Sequence, residues 1–135
     1  MKILLDTNVL LDIILKREGW EYAYQLFEME NEYCLSASQV TDVYYIVNSK
    51  DKSFDREKLK FSLRALRIMP VDEIIIEKAF ESALMDFEDA VVEQVAVVEK
   101  MDYILTRNIK DFELSKVPAM TVESYGEMLE MHTTS

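Results

Sequence analysis

The chain has 135 residues, about the length of one domain, and its 26 acidic against 15 basic side chains give a net charge of −11. Half of the residues are hydrophobic and 30% are charged, a soluble globular composition able to bury roughly two thirds of the unfolded surface in one core. With two glycines and one cysteine, the chain lacks the material for a glycine-rich dinucleotide loop, a P-loop or an intramolecular disulfide, and the place of its single histidine, His132, three residues from the end argues against a Ser-His-Asp triad or a histidine-cysteine zinc site.

Lys2-Ile3-Leu4-Leu5 is an apolar run of strand length that ends in Asp6-Thr7-Asn8, where a helical pattern begins. An acid at the carboxyl end of a buried first strand lies where open α/β sheets bind their ligands. The competing reading is an ordinary turn, because Asp-Thr-Asn is also good turn and cap chemistry. Asp6 and Asp12 interrupt the amino-terminal apolar stretch well short of a signal or membrane segment, so no membrane association is expected. Cys34, alone in a strand-like stretch, reads as a small core residue in a reducing compartment, and a cytoplasmic location is expected.

Helical patterns over 8 to 15 and 19 to 31 lead to a strand at Tyr33 to Leu35, and helices over 38 to 49 and 55 to 66 lead to a strand at Ile68 to Val71. Helices over 73 to 84 and 87 to 101 precede a strand at Tyr103 to Thr106. A last strand, Ala119 to Val122, precedes a closing helix over 123 to 131, with His132 in the tail. Strands alternating with helices predict an α/β fold over residues 1 to 135, a single three-layer α/β/α sandwich around a mostly parallel sheet of four to five strands. Pro70 and Pro118 sit at strand positions, which suits edge strands or strand entries.

Three more acids join Asp6. Asp89 falls on a helical face with Met85, Val92, Ala96 and Glu99, and a charge in an apolar stripe costs several kcal/mol unless it is paired or metal-bound. Asp86, three residues earlier, projects nearby or caps the helix. Asp42 lies off the expected core face of Val40, Val43, Tyr44 and Val47, where a solvated acid is the default; its place one turn after the second strand brings it towards the same sheet edge. Asp111 follows Thr106-Arg107-Asn108 in a loop after the fourth strand. Four carboxylates at the carboxyl ends of successive elements form an oxygen-rich set suited to Mg²⁺ or Mn²⁺.

Lys2 to Asp12, Asp86-Phe87-Glu88-Asp89-Ala90 and Ile104 to Phe112 occur in an order and at separations that resemble the PIN-domain family, in its small prokaryotic single-domain kind. That kind includes the ribonuclease toxins of VapBC-type toxin-antitoxin modules. The resemblance implies an α/β/α sandwich and a metal-dependent nuclease site in which Asp6, Asp42, Asp89 and Asp111 are the catalytic acids, with Asp6, Asp89 and Asp111 on the metal. At the second position many members carry Glu, so Asp42 is a departure. Thr7, Asn8, Thr106 and Asn108 match polar positions that shape the site, and Asp12 and Asp86 join them as supporting residues. The implied products of RNA cleavage carry 5'-phosphate and 3'-hydroxyl ends, and the implied partners are an antitoxin and a second copy of the chain in a homodimer.

Substrate contacts are less defined. The net charge of −11 opposes general affinity for nucleic acid, yet seven bases and three acids between Lys50 and Arg67 give a local charge of +4. Lys58, Arg64 and Arg107 are the candidate substrate-binding side chains. The alternative for the 50 to 67 segment is a solvated helix of mixed charge with Phe61, Leu63 and Leu66 turned inward. The stretch from Trp20 to Met29, rich in Tyr and Met, is either a partner surface or core packing. Two other function classes compete with the nuclease. A haloacid dehalogenase-like phosphotransferase also begins with a strand ending in Asp, but Asn8 stands where it needs a second Asp. A catalytically weak PIN fold that binds nucleic acid or protein is the other competitor.

Overall fold

Strand β1 (Lys2–Leu5) sends alternate side chains to opposite sides, and this alternation divides the protein into two cores. Ile3 and Leu5 pack with Tyr33, Leu35 and Leu105 into one, and Leu4 packs with Cys34 and Ile104 into the other. A computed structural model of the chain describes residues 1 to 133, with side chains as far as Glu130. The His132 side chain lies outside the described residues.

Five parallel strands run β3-β2-β1-β4-β5, with β2 at Glu32–Ser36, β3 at Arg67–Met69, β4 at Tyr103–Leu105 and β5 at Ala119–Met120. Helices α1 (Thr7–Ile14), α2 (Trp20–Leu26), α3 (Ala37–Lys50), α4 (Arg56–Ser62) and α7 (Val122–Thr133) cover one face. Helices α5 (Glu73–Phe80) and α6 (Phe87–Val98) cover the other. The predicted sandwich is therefore present, and the two prolines flank its outermost strands: Pro70 follows β3 and Pro118 precedes β5. Neither removes a hydrogen bond from the sheet centre.

Several boundaries differ from the periodicity. Helix α5 stops at Phe80 and not at residue 84, because Glu81 and Ser82 close the last turn with short bonds to Lys78 and Ala79. Ser82 then turns inward. The expected helix over 19 to 31 ends at Leu26, since Glu28 and Met29 bond three residues back and the chain leaves the helix through that tightened turn. Strand β3 begins one residue earlier and ends two residues earlier than expected, and Val122 opens α7 instead of closing β5.

The functional consequence of this topology lies at β1. Its two neighbours, β2 and β4, are reached by crossovers on opposite faces of the sheet, so the strand order reverses there and the chain parts beyond the carboxyl ends of β1 and β4. Such a switch point is the crevice where open α/β sheets bind ligands.

Candidate active site

Asp6 is the residue immediately after β1. Its amide still donates to the Leu105 carbonyl at 2.8 Å, so the backbone is held by the sheet while the side chain turns to cap α1 through the Thr7 amide at 2.9 Å. The Thr106 hydroxyl, at the end of β4, donates to the other carboxylate oxygen at 2.9 Å and itself accepts from the Asn108 amide at 3.0 Å. Both oxygens are thus fixed, and the residue is only 7% exposed. The turn and cap reading of Asp6 is correct as local structure. It also accounts for how a buried acid is oriented.

A cavity of about 640 Å³ opens over this carboxylate. Asp6, Asp42, Asp89 and Asp111 all line it, with Thr7, Asn8, Asp86 and Asn108. Asp42 reaches it from α3, Asp89 from the first turn of α6, and Asp111 from a short 3-10 turn, Ile109–Phe112, after β4. Asp86 caps α6, accepting from the Asp89 amide at 2.9 Å, while also facing the cavity. Met85, expected on the face of Asp89, precedes the helix and is fully exposed; Asp89 therefore marks the open end of the apolar face formed by Val92 and Ala96.

The electrostatics follow from this crowding. Burial pushes the Asp6 carboxyl up, helped by the Asp111 charge; the Thr106 and Thr7 hydrogen bonds and the Arg107 charge oppose the shift without reversing it. Asp89 is pushed up to about 7, first by burial and then by the charges of Asp6, Asp86, Asp111 and Glu88. Glu88, which the sequence reading passed over, is raised by the Asp42 charge first, then by burial, by Asp86, by a hydrogen bond to Asp42 and by Asp6. It lines the same cavity, so a sixth acid stands there beside Asp42.

A second overlooked residue is Gln39, buried at the start of α3. Its amide donates to the Leu5 carbonyl at 2.8 Å and the Thr7 hydroxyl at 3.1 Å, and its carbonyl oxygen accepts from the Ser36 amide at 2.8 Å. Gln39 thereby ties the helix of Asp42 to the strand end of Asp6. Ser36-x-x-Gln39 is a capping box, so this residue was visible as a helix start if not as a site brace.

The candidate bases divide. Arg107 follows Thr106 and its Nε lies 3.4 Å from Asp12, which also accepts from Arg17 at 3.1 Å; Asp12 holds two guanidiniums and does not line the cavity. Lys58 and Arg64 line a different groove, about 580 Å³, between α1, α2 and α4, with Leu10, Ile14 and Trp20. Phe61, expected inward, is 65% exposed there with the Arg64 guanidinium 3.8 Å over its ring; Leu63 is buried. Within the described residues, no helix is long and apolar enough to cross a membrane.

A parallel α/β sandwich with an acid-lined cleft at its switch point defines a class of sites built for cationic or phosphate chemistry. The chain belongs to the PIN-domain family, whose model matches residues 2–110. Among solved structures it is similar to VapBC2 from Rickettsia felis bound to a promoter DNA fragment, at 19% identity over 90% of this chain and 98% of that one, TM-score 0.72. A toxin-antitoxin complex from Klebsiella pneumoniae is 22% identical over 89% and 97%, TM-score 0.70. VapC20 from Mycobacterium tuberculosis, a toxin that cleaves the sarcin-ricin loop, is 11% identical over 76% and 86%, TM-score 0.59. No curated protein matched the chain.

Proposed function

We propose that the protein is a metal-dependent endoribonuclease acting on single-stranded RNA as the toxin of a toxin-antitoxin pair. The observation that carries this reading is the convergence of Asp6, Asp42, Asp89 and Asp111, from four separate elements, on one cavity at the switch point. The donor set is all oxygen, the chemistry that Mg²⁺ or Mn²⁺ prefers, although among the described residues no three such side chains stand placed to hold a metal ion as folded. Mg²⁺ keeps several waters and needs only one or two carboxylates, which suits so open an arrangement. Asp6, Asp89 and Asp111 would hold the ion. When bound, it neutralises phosphate charge and lowers the pKa of water at the site.

The chain's own groups supply position and proton handling. Thr106 and the Thr7 amide fix Asp6, so its carboxylate needs little reordering when substrate arrives. Asp42 and Glu88, paired in the cavity between α3 and α6, can accept a proton from an attacking water. Arg107, braced by Asp12, offers a guanidinium to a phosphate beside Asp6.

Two of the solved relatives are toxin-antitoxin assemblies. For this chain we place the antitoxin segment in the groove between α1, α2 and α4, where an apolar floor of Leu10, Ile14 and Trp20 is rimmed by Lys16, Lys58 and Arg64 together with Asp51 and Glu57, so an amphipathic peptide would dock mainly through its apolar face. Lys58 and Arg64 are then partner contacts, not substrate contacts. For a homodimer we propose the face of exposed Phe80, stacked on Phe87 at 5.2 Å; its test is the molar mass in solution. The experiment for the nuclease is cleavage of single-stranded RNA with Mn²⁺ by wild type and Asp6→Asn. A well-folded Asp6→Asn that cuts at the wild-type rate overturns the reading.

A further inference from the structure

Glu93 lies on α6 one turn after Asp89 and is 1% exposed. One carboxylate oxygen accepts from the Ser82 hydroxyl at 2.6 Å and the Gln94 side-chain amide at 2.8 Å. The other accepts from the Lys116 backbone amide at 2.9 Å. A buried carboxylate is costly unless hydrogen bonds replace its lost water, and here three donors do so. Those donors come from three segments. Ser82 belongs to the turn between α5 and α6, where its hydroxyl also accepts from the Leu84 amide at 3.1 Å; Gln94 belongs to α6; Lys116 belongs to the loop between the 3-10 turn and β5.

These segments carry the acids. The turn at Ser82 runs into Asp86, α6 carries Glu88 and Asp89, and the loop at Lys116 leads back to Asp111. A groove of about 320 Å³ lies between them, lined by Ala83, Asp86 and Asp89 on one side and by Lys110, Asp111 and Leu114 on the other. Asp111 is exposed, and the hydrogen bond from the loop to Glu93 is a direct polar tie between its loop and α6.

We propose that Glu93 is a positioning residue that sets Asp111 against Asp89, and so tunes the affinity of the acid cleft for a divalent cation. This rests on the metal-site reading above. A packing role alone would be met by an apolar side chain; a carboxylate that gathers donors from both walls of the groove fixes their separation. Glutamine is a poor replacement: one end of its amide is a donor, so the Gln94 amide must flip and the Ser82 hydroxyl must turn to accept before the pocket is satisfied again.

The test compares wild type, Glu93→Gln and Ser82→Ala. In metal-free protein, amide hydrogen exchange at Lys116 and Leu84 should quicken in Glu93→Gln. Calorimetric titration with Mn²⁺ should then show its Kd weakened about tenfold or more, the size expected when a group that orients metal ligands is lost. Ser82→Ala, which leaves the carboxylate with two of its donors, should fall between the two, and it carries the comparison if Glu93→Gln does not fold. A folded Glu93→Gln whose Mn²⁺ Kd lies within about twofold of wild type overturns the inference while the metal site stands. Wild type that takes up no Mn²⁺ overturns the metal reading itself, and the positioning role falls with it.

Discussion

Asp6 and Glu93 are the two buried carboxylates among the described residues, and they live in opposite surroundings. Glu93 sees only donors: a hydroxyl, a side-chain amide and a backbone amide. Asp6 has two donors of its own but faces Asp111 and Asp89 across an open cavity, and burial and the Asp111 charge drive its carboxyl upward. One site is complete as folded. The other is crowded with negative charge that a cation or a proton would relieve, the kind of setting in which a perturbed carboxylate is a candidate for chemistry.

The largest break in this comparison is removal of charge from the cleft. Asp6→Asn and Asp89→Asn keep side-chain shape but remove an ion ligand, so RNA cleavage should fall by about two orders of magnitude or more, consistent with several kcal/mol of lost charge stabilisation. Folding should survive, and circular dichroism with cleavage assays on the same preparations checks both. Supplying the missing charge is the converse experiment. Mn²⁺ at about 100 times its Kd should stabilise the wild type by about 2.7 kcal/mol, roughly 5 to 10 °C in Tm, and Asp6→Asn by much less. A wild-type melting curve indifferent to Mn²⁺ would remove the distinction between the two acids.

A smaller effect is pH dependence without metal. The Asp89 value of about 7 lies above the ordinary 3.8, so between those limits the folded protein holds a proton that the unfolded chain has released. Its contribution to stability is full below about pH 4 and is lost as pH rises through about 7. The loss should be on the order of 1–2 kcal/mol, after discounting for the half-open setting of the carboxyl. Urea unfolding at several pH values should show this decline in wild type and a flatter profile in Asp89→Asn. Equal profiles would mean that the crowding costs nothing.

How much of this was written in the chain follows the same division. The sheet, its edge prolines and Asp6 were legible because an apolar run ending in an acid is a local signal, whereas Asp111, unremarkable alone in its loop after the fourth strand, stood out only beside the other acids. Helix ends were less legible: the stop at Phe80 comes with the tightened turn at Glu81 and Ser82, and the Ser82 hydroxyl there bonds to Glu93, eleven residues away in sequence. Glu93 itself was hidden because spacing alone does not show that distant Lys116 will supply an amide, although a glutamate inside Val91-Val92-Glu93-Gln94-Val95 was a visible conflict of charge and burial. Asp42 and Glu88 meet only through tertiary packing of α3 against α6, so neither helix pattern announces the pair.

The finest distinction concerns Arg107, whose charge acts on Asp6 although its side chain does not line the cavity. Its charge lowers the Asp6 pKa, while Asp12 holds its Nε at 3.4 Å and also engages Arg17. The guanidinium is half exposed, so the pair with Asp12 contributes at most about 1 kcal/mol to stability, and Arg107→Ala should melt within a few degrees of wild type. Its effect should appear in substrate handling instead. Losing one phosphate contact to a single strand should raise the KM for RNA several-fold, leave kcat nearly unchanged and reduce the salt slope of binding by about 0.7. Asp12→Asn, which frees the guanidinium without removing it, should raise KM less and leave the salt slope intact, because the charge is still present but no longer held. If Arg107→Ala instead lowers kcat and leaves KM alone, the arginine acts on the reacting phosphate and belongs with Asp6, not with the binding surface.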